Sequence, residues 1–265
     1  MSAETHPFLE PAWTANPFAS PSAMRHSSYS GYSDGQLVRL LETRAATRFG
    51  NRANAAFRQF VLGPSFSCLA AKSAIRRGTY RVGAYARIDD GEVTEGLARD
   101  LFAFGRERRG FESDFTSFVA FFREGFTGDE EAFEVCLWSQ LQRLHNLDAG
   151  FHRWDPRVSS DAADPEFSFS FAGHAFFVVG LHPNASRRSR RFAWPALVFN
   201  AHEQFEHLRE IGAFNRLQQT IRQREIALDG SINANLAEYG TQSEARQYSG
   251  RTVPRDWQCP FRPRA

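Results

Sequence analysis

Residues 166–172 alternate phenylalanine with serine, and Gly173-His174 then turns the chain into the apolar run 175–181, AFFVVGL. Strict alternation puts every phenylalanine on one side of an extended chain, whereas a helix turning 100° per residue would scatter them around its circumference. The segment reads as a β-hairpin, and a lone hairpin is not stable without further strands or helices on its apolar face. Residues 79–88 (TYRVGAYARI) and 195–200 supply two more stretches with strand character.

The remaining pattern is mostly helical. Asp34 is a candidate cap for a helix reaching about residue 48, with Leu37, Leu40 and Leu41 on one side. Residues 57–62 run into a Gly63-Pro64 break, and a short helix after Phe66-Ser67-Cys68 ends at Arg77-Gly78. Asp89-Asp90-Gly91 reads as a turn. Helices are expected over 93–107 and 112–123, the second from the spacing of Phe115, Phe118, Val119 and Phe122. Asp129 opens the clearest one, about 130–147, where Phe133, Leu137, Leu141 and Leu144 fall within an arc of roughly 80°. Residues 155–165 read as a loop, and beyond residue 200 the chain is helical to about 229. The expectation is a single α+β domain over 34–265, a small, mainly antiparallel sheet flanked by helices. A flexible arm rich in Pro, Ser, Ala and Tyr precedes it over 1–33.

Composition excludes several classes of function. The formal net charge of +2 gives no basic excess for phosphate backbones, which argues against nucleic acid. Three cysteines without CxxC spacing make neither a disulfide framework nor a zinc site. No apolar run approaches the ~20 residues of a membrane span, and the first residues lack a secretory pattern, so a cytoplasmic protein away from membranes is expected. Phenylalanine occurs 26 times against two methionines, which makes the core rigid and aromatic and suits a flat ligand. The basic residues are arginine except for Lys72, a position that asks for a compact ammonium.

Four constellations could carry chemistry. Gly180-Leu181-His182-Pro183 delivers an imidazole from a strand end, and Arg187, Arg188, Arg190 and Arg191 follow it. Such a run is more often a solvated loop; its sharper reading is a histidine beside a ligand with anionic groups, as in a haem with two propionates. In Trp138–Asp148 (WSQLQRLHNLD), His145 borders the apolar arc. It is usually a helix-end residue, but Asp148 could orient it as a ligand. Cys68 at a helix start could be a thiolate, although a small buried hydrophobe is commoner, and Cys136 reads as packing. His202-Glu203 lacks the second histidine of the HExxH zinc motif, since Glu206 stands in its place. No GxGxxG, Walker loop or GxSxG occurs.

FxCxxAK at 66–72, LQRLHNLD at 141–148, GHAFFVVGLHPNASRRSRRF at 173–192 and GRTVPRDWQCPF at 250–261 resemble the YqcI/YcgG family, in its order and over roughly residues 60–261. Ser67 departs from the proline usual there. The GLHPxxSRxxRRF form most resembles the haem-dependent branch, the amine and guanidine N-oxygenases that include the pre-guanitoxin N-hydroxylase. The resemblance implies a non-covalently bound haem b, with iron held by His182 or His145. It implies propionates met by Arg187, Arg188, Arg190 and Arg191, and further cofactor contacts from Lys72 and Cys68. The implied substrates are a small amine or guanidine, such as an arginine-like compound, and dioxygen or peroxide, with an electron donor as partner. The substrate nitrogen must shed its proton before oxidation, and Asp148, Glu203 and Glu206 are the candidate acceptors. Trp257 and Phe261 either close the pocket or anchor the tail. Two other functions remain open: a haem sensor or carrier without turnover, and a cofactor-free small-molecule binder.

Overall fold

The computed structural model describes residues 16–264 apart from Ser65, Ser67, Asp114, Gly125, Ile211, Ala213, residues 232–240 and the side chain of Leu217. The first fifteen residues, and with them nearly half of the expected arm, lie outside the described residues. The rest of that stretch holds α1 (Pro21–His26), capped by the Ser20 side chain, and β1 (Ser30–Ser33).

The helix expected from Asp34 is instead a hairpin between β1 and β2 (Gln36–Arg39). Asp34 and Gly35 both take positive φ, 49° and 85°, as a two-residue turn matched to the twist of the flanking strands requires. The helix begins later, at α2 (Arg48–Leu62), where the Thr47 hydroxyl accepts from the Gly50 amide. α3 (Leu69–Arg77) ends on Gly78 in the left-handed conformation, and β3 (Tyr80–Tyr85) follows. α4 (Gly91–Glu107) starts on an Asp90 cap.

β4 (Ser117–Phe122) occupies the place of the second expected helix. All six of its residues are buried. A strand covered on both faces reads as an unbroken apolar run, so helical spacing occurs in it by chance. α5 (Glu130–Asp148), capped by Asp129, leads to the hairpin of β5 (Phe169–Phe171) and β6 (His174–Leu181). β7 (Ala196–Ala201), α6 (Glu203–Glu210), α7 (Phe214–Asp229) and α8 (Ala245–Tyr248) complete the order.

The strands form one seven-stranded sheet in the order β2-β1-β3-β4-β7-β6-β5. It is mixed, which corrects the small, mainly antiparallel sheet expected from the sequence. β3 and β4 at its centre run parallel, joined by the α4 crossover that parallel neighbours require. Alternation sends Phe118, Ala120 and Phe122 of β4, Phe176 and Val178 of β6, and Leu197 and Phe199 of β7 to one face, under α4 and α5. Val119, Phe121, Leu181 and Val198 point the other way, onto Phe57 and Val61 of α2 and Ile75 of α3. α2 and α3 cover only part of this second face; α6 and α7 cover the rest. Among the described residues, no helix is long and apolar enough to cross a membrane.

Candidate functional site

Where α6 and α7 face the sheet, a cavity of about 270 Å³ remains. Its floor is set by strand register. Val119, Val198 and Val179 lie side by side across β4, β7 and β6, and the next row is Ser117, Asn200 and Phe177. That row is tied together: Ser117 donates to the Asn200 carbonyl oxygen at 2.7 Å, and the Asn200 amide donates to the Phe177 carbonyl at 3.2 Å. One wall is the start of α3 with Phe66 and Cys68; the other is Phe205 of α6 and Phe214 and Ile221 of α7. Its polar lining includes Arg190, Arg209, Arg222, Glu225, Glu244 and Gln247.

The period of β7 continues one step beyond the strand, so Val198, Asn200 and His202 share the cavity side. His202 is buried, and burial, reinforced by Arg209 and Arg157, lowers its pKa to about 4. A neutral imidazole therefore faces the cavity at physiological pH, the form that binds a metal. Its Nε2 lies 3.8 Å from Glu206 and its Nδ1 4.0 Å from Glu244. Burial pushes the Glu244 carboxyl up to about 7, although the Tyr248 hydroxyl donates to it. Burial also raises the Cys68 thiol, outweighing the amides of Ala71 and Ala70, so this sulfur is a protonated wall atom.

Of the residues singled out from sequence, Cys68 and Arg190 meet at this cavity. Arg190 spends its terminal nitrogens on the carbonyls of Gly180, Tyr248 and Gln247, and burial lowers it to about 10. Two of the other arginines do structural work. Arg187 holds α7 through Glu225 and Asp229, Arg191 bonds its own loop at Ala185 and Ser186, and Arg188 is exposed. Lys72 donates to the Gly63 carbonyl at 2.7 Å, joining α3 to the end of α2.

His182 lies across the sheet from the cavity, stacked on Phe133 with ring centroids 4.3 Å apart and edge-on to Phe126. It is fully buried, burial lowers its pKa to about 4, and neither ring nitrogen has a hydrogen-bond partner among the described residues. His145 sits between Trp154 and Phe261, and its Nε2 accepts from the Arg264 amide at 2.8 Å. Asp148 pairs with His152 and accepts from the Ala172 amide, which fixes the β5–β6 turn. Glu203 lies between Arg108 and Arg157; burial alone would raise its pKa, but their hydrogen bonds hold it at about 2. So low a value makes it no proton acceptor near neutrality. Trp257 donates to Glu134 and Phe261 is buried in the core, so the two anchor the tail.

Sequence reasoning passed over His202, which stood out only as half of a failed zinc motif, and Glu244. The available signal for His202 was its place two residues beyond a cavity-facing strand position. Among the described residues, no three His, Cys, Asp or Glu side chains gather as a site for a bare metal ion.

Fold and cavity together define a single-sheet α+β protein with an internal cavity on one face of the sheet. The sequence model of the YqcI/YcgG family matches residues 57–262, so the chain belongs to that family. It is 30% identical over 137 residues to the "Uncharacterized protein YqcI" of Bacillus subtilis (strain 168), a match over 49% of this chain. The chain spans about half of that relative, 53%. No solved structure matches.

Proposed function

We propose that the protein is a haem-dependent N-oxygenase of a small amine or guanidine, and that its cavity over β6 and β7 houses the reaction. The carrying observation is the lining: aromatic and aliphatic walls around one neutral imidazole, His202, with guanidinium groups among the lining. That donor set suits a haem, which asks for an axial imidazole, a dry aromatic slot and partners for two carboxylates. Arg222 strengthens the fit, because its Nε is buried without a hydrogen-bond partner among the described residues. His202 is the better axial candidate than His182 or His145, whose rings are packed against Phe133 or bonded to Arg264.

Bound there, a haem would supply the activation of dioxygen or peroxide, fed by an electron donor. The chain's own part is to hold it through His202 and Arg222, to exclude water with Phe66, Phe177, Phe205 and Phe214, and to position the substrate nitrogen. The test is the ultraviolet–visible spectrum of protein purified with hemin supplied. A Soret band retained in His182→Ala and His145→Ala but lost in His202→Ala is expected. A protein that stays colourless with hemin overturns the reading. Mass spectrometry for hydroxylated product separates turnover from mere haem carriage.

A further inference from the structure

Where β4 begins, two carboxamides line the cavity in orientations that their partners fix. Gln204 is 7% exposed, and its Oε1 accepts the Thr116 amide at 3.0 Å. A backbone N–H only donates, so the oxygen must face Thr116 and the NH2 group is turned away from it. That nitrogen has no hydrogen-bond partner among the described residues. Asn200 is fixed from both ends. The Phe177 carbonyl only accepts, which assigns the Asn200 nitrogen to it, and the Ser117 hydroxyl must then donate to the Asn200 oxygen. One Asn200 N–H is left over. Ser117, also 7% exposed, has spent its proton and offers only lone pairs. Thr116 and Ser117 are consecutive, so both carboxamides are tied to one short piece of chain. Phe115, Phe177 and Phe205, their neighbours in sequence or in strand register, line the cavity as well.

We infer that Gln204, Asn200 and Ser117 form a recognition site for an uncharged amide edge, a C=O beside an N–H as in a carboxamide, urea or lactam. The ligand carbonyl takes the N–H groups of Gln204 and Asn200, and the ligand N–H goes to the Ser117 oxygen. Donors beside an acceptor match that edge and reject its isosteres. A carboxylate brings acceptors only and sets a lone pair against Ser117. An amidinium or ammonium brings donors only and sets them against the Gln204 NH2 group. The three side chains are uncharged throughout the physiological pH range, so they read hydrogen-bond pattern and not charge. A donor taken out of water without a partner forfeits the bond it made there, which favours the ligand that pairs every group over one that leaves a group unpaired. This goes beyond the haem reading and does not depend on it: it specifies a polar group that the cavity's ligand carries, whatever chemistry follows.

Benzamide, benzoate and benzamidinium share one shape and differ in this edge alone, and their ring suits the aromatic walls. Ligand-observed NMR titration of the full chain at pH 8 compares them. Benzamide is expected to bind about tenfold more tightly than either ion. Gln204→Glu keeps an oxygen for the Thr116 amide and replaces the free donors with an acceptor. It is expected to weaken benzamide about tenfold and to move benzamidinium ahead of it. Ser117→Ala is a second, independent variant: it removes the acceptor, so benzamide is expected to lose about tenfold while benzoate loses nothing. Failure of benzamide to bind, equal binding of the three probes, parental benzamide affinity in Gln204→Glu, or an equal loss for benzamide and benzoate in Ser117→Ala each overturns the assignment. The Soret band is recorded on the same samples. A colourless protein that shows the expected order of probes retires the oxygenase reading alone; a haem protein that does not distinguish them retires this inference alone.

Discussion

Glu134 in α5 is the point where the C-terminal segment is fastened, and its removal has a calculable cost. The side chain is 7% exposed and accepts four hydrogen bonds: Oε2 from Ser249 at 3.0 Å and Arg251 Nε at 3.3 Å, Oε1 from Arg251 Nη2 at 2.9 Å and Trp257 at 3.0 Å. Glu134→Ala leaves the indole N–H and the serine hydroxyl unpaired. Arg251 keeps its pair with Glu131 at 3.3 Å, whose side chain is 74% exposed. An exposed pair contributes at most about 1 kcal/mol, while breaking a buried pair costs about 3–5 kcal/mol. The loss should lie in that upper range. Glu134→Gln keeps the volume but turns an amide N–H toward one of the four donors, and about 2 kcal/mol is expected. Urea denaturation followed by tryptophan fluorescence measures both. A Glu134→Ala protein within 1 kcal/mol of the parent would show that apolar packing of Trp257 and Phe261 holds the segment, and the electrostatic reasoning would be wrong.

Two further outcomes test the scaffold. Asp100 is fully buried and accepts from Ser27, Ser28 and Tyr85, yet burial raises its carboxyl to about 6. The folded state then binds the proton more tightly than the unfolded chain, so this contribution is complete below pH ~4 and lost as pH rises through ~6. The stability difference between the parent and Asp100→Asn should be roughly 2.4 kcal/mol larger at pH 4 than at pH 7; a difference independent of pH refutes it. Gly180→Ala would bring a Cβ within 2.6 Å of Phe133, 2.8 Å of Leu137 and 2.9 Å of the Tyr248 carbonyl. Two of these neighbours can rotate and the carbonyl cannot, so a loss of about 1–3 kcal/mol and a fall of several degrees in Tm are expected. An unchanged melting curve counts against so close an approach of β6 to α5 and α8.

Elements with local signals were legible. The Phe-Ser alternation and Gly173 marked the β5–β6 hairpin, Asp129 marked α5, and Gly78 marked the end of α3. β4 was not, because a strand at the centre of a sheet is apolar on both sides and loses the period that would distinguish it. Asp34-Gly35 has two meanings, helix cap or hairpin turn, and only pairing across β1 and β2 decides. The cavity is harder still: Cys68, Asn200, His202 and Glu244 come from distant parts of the chain and meet through packing of α3, α6 and α8 over the sheet. His182 and the arginine run drew attention by local density, yet the strand period sends His182 to the α5 side.

The bonds from Ser249, Arg251, Trp257 and Arg262 back to α5 span 115 to 123 residues of intervening chain. On a ribosome adding roughly 5–20 residues per second, α5 therefore emerges some 6–24 s before the segment that covers one of its sides. During that interval Trp138 and His145 lack the rings of Tyr248, Trp257 and Phe261 that pack on them in the folded protein. Shielding from association over those seconds is a demand that the topology places on the cell.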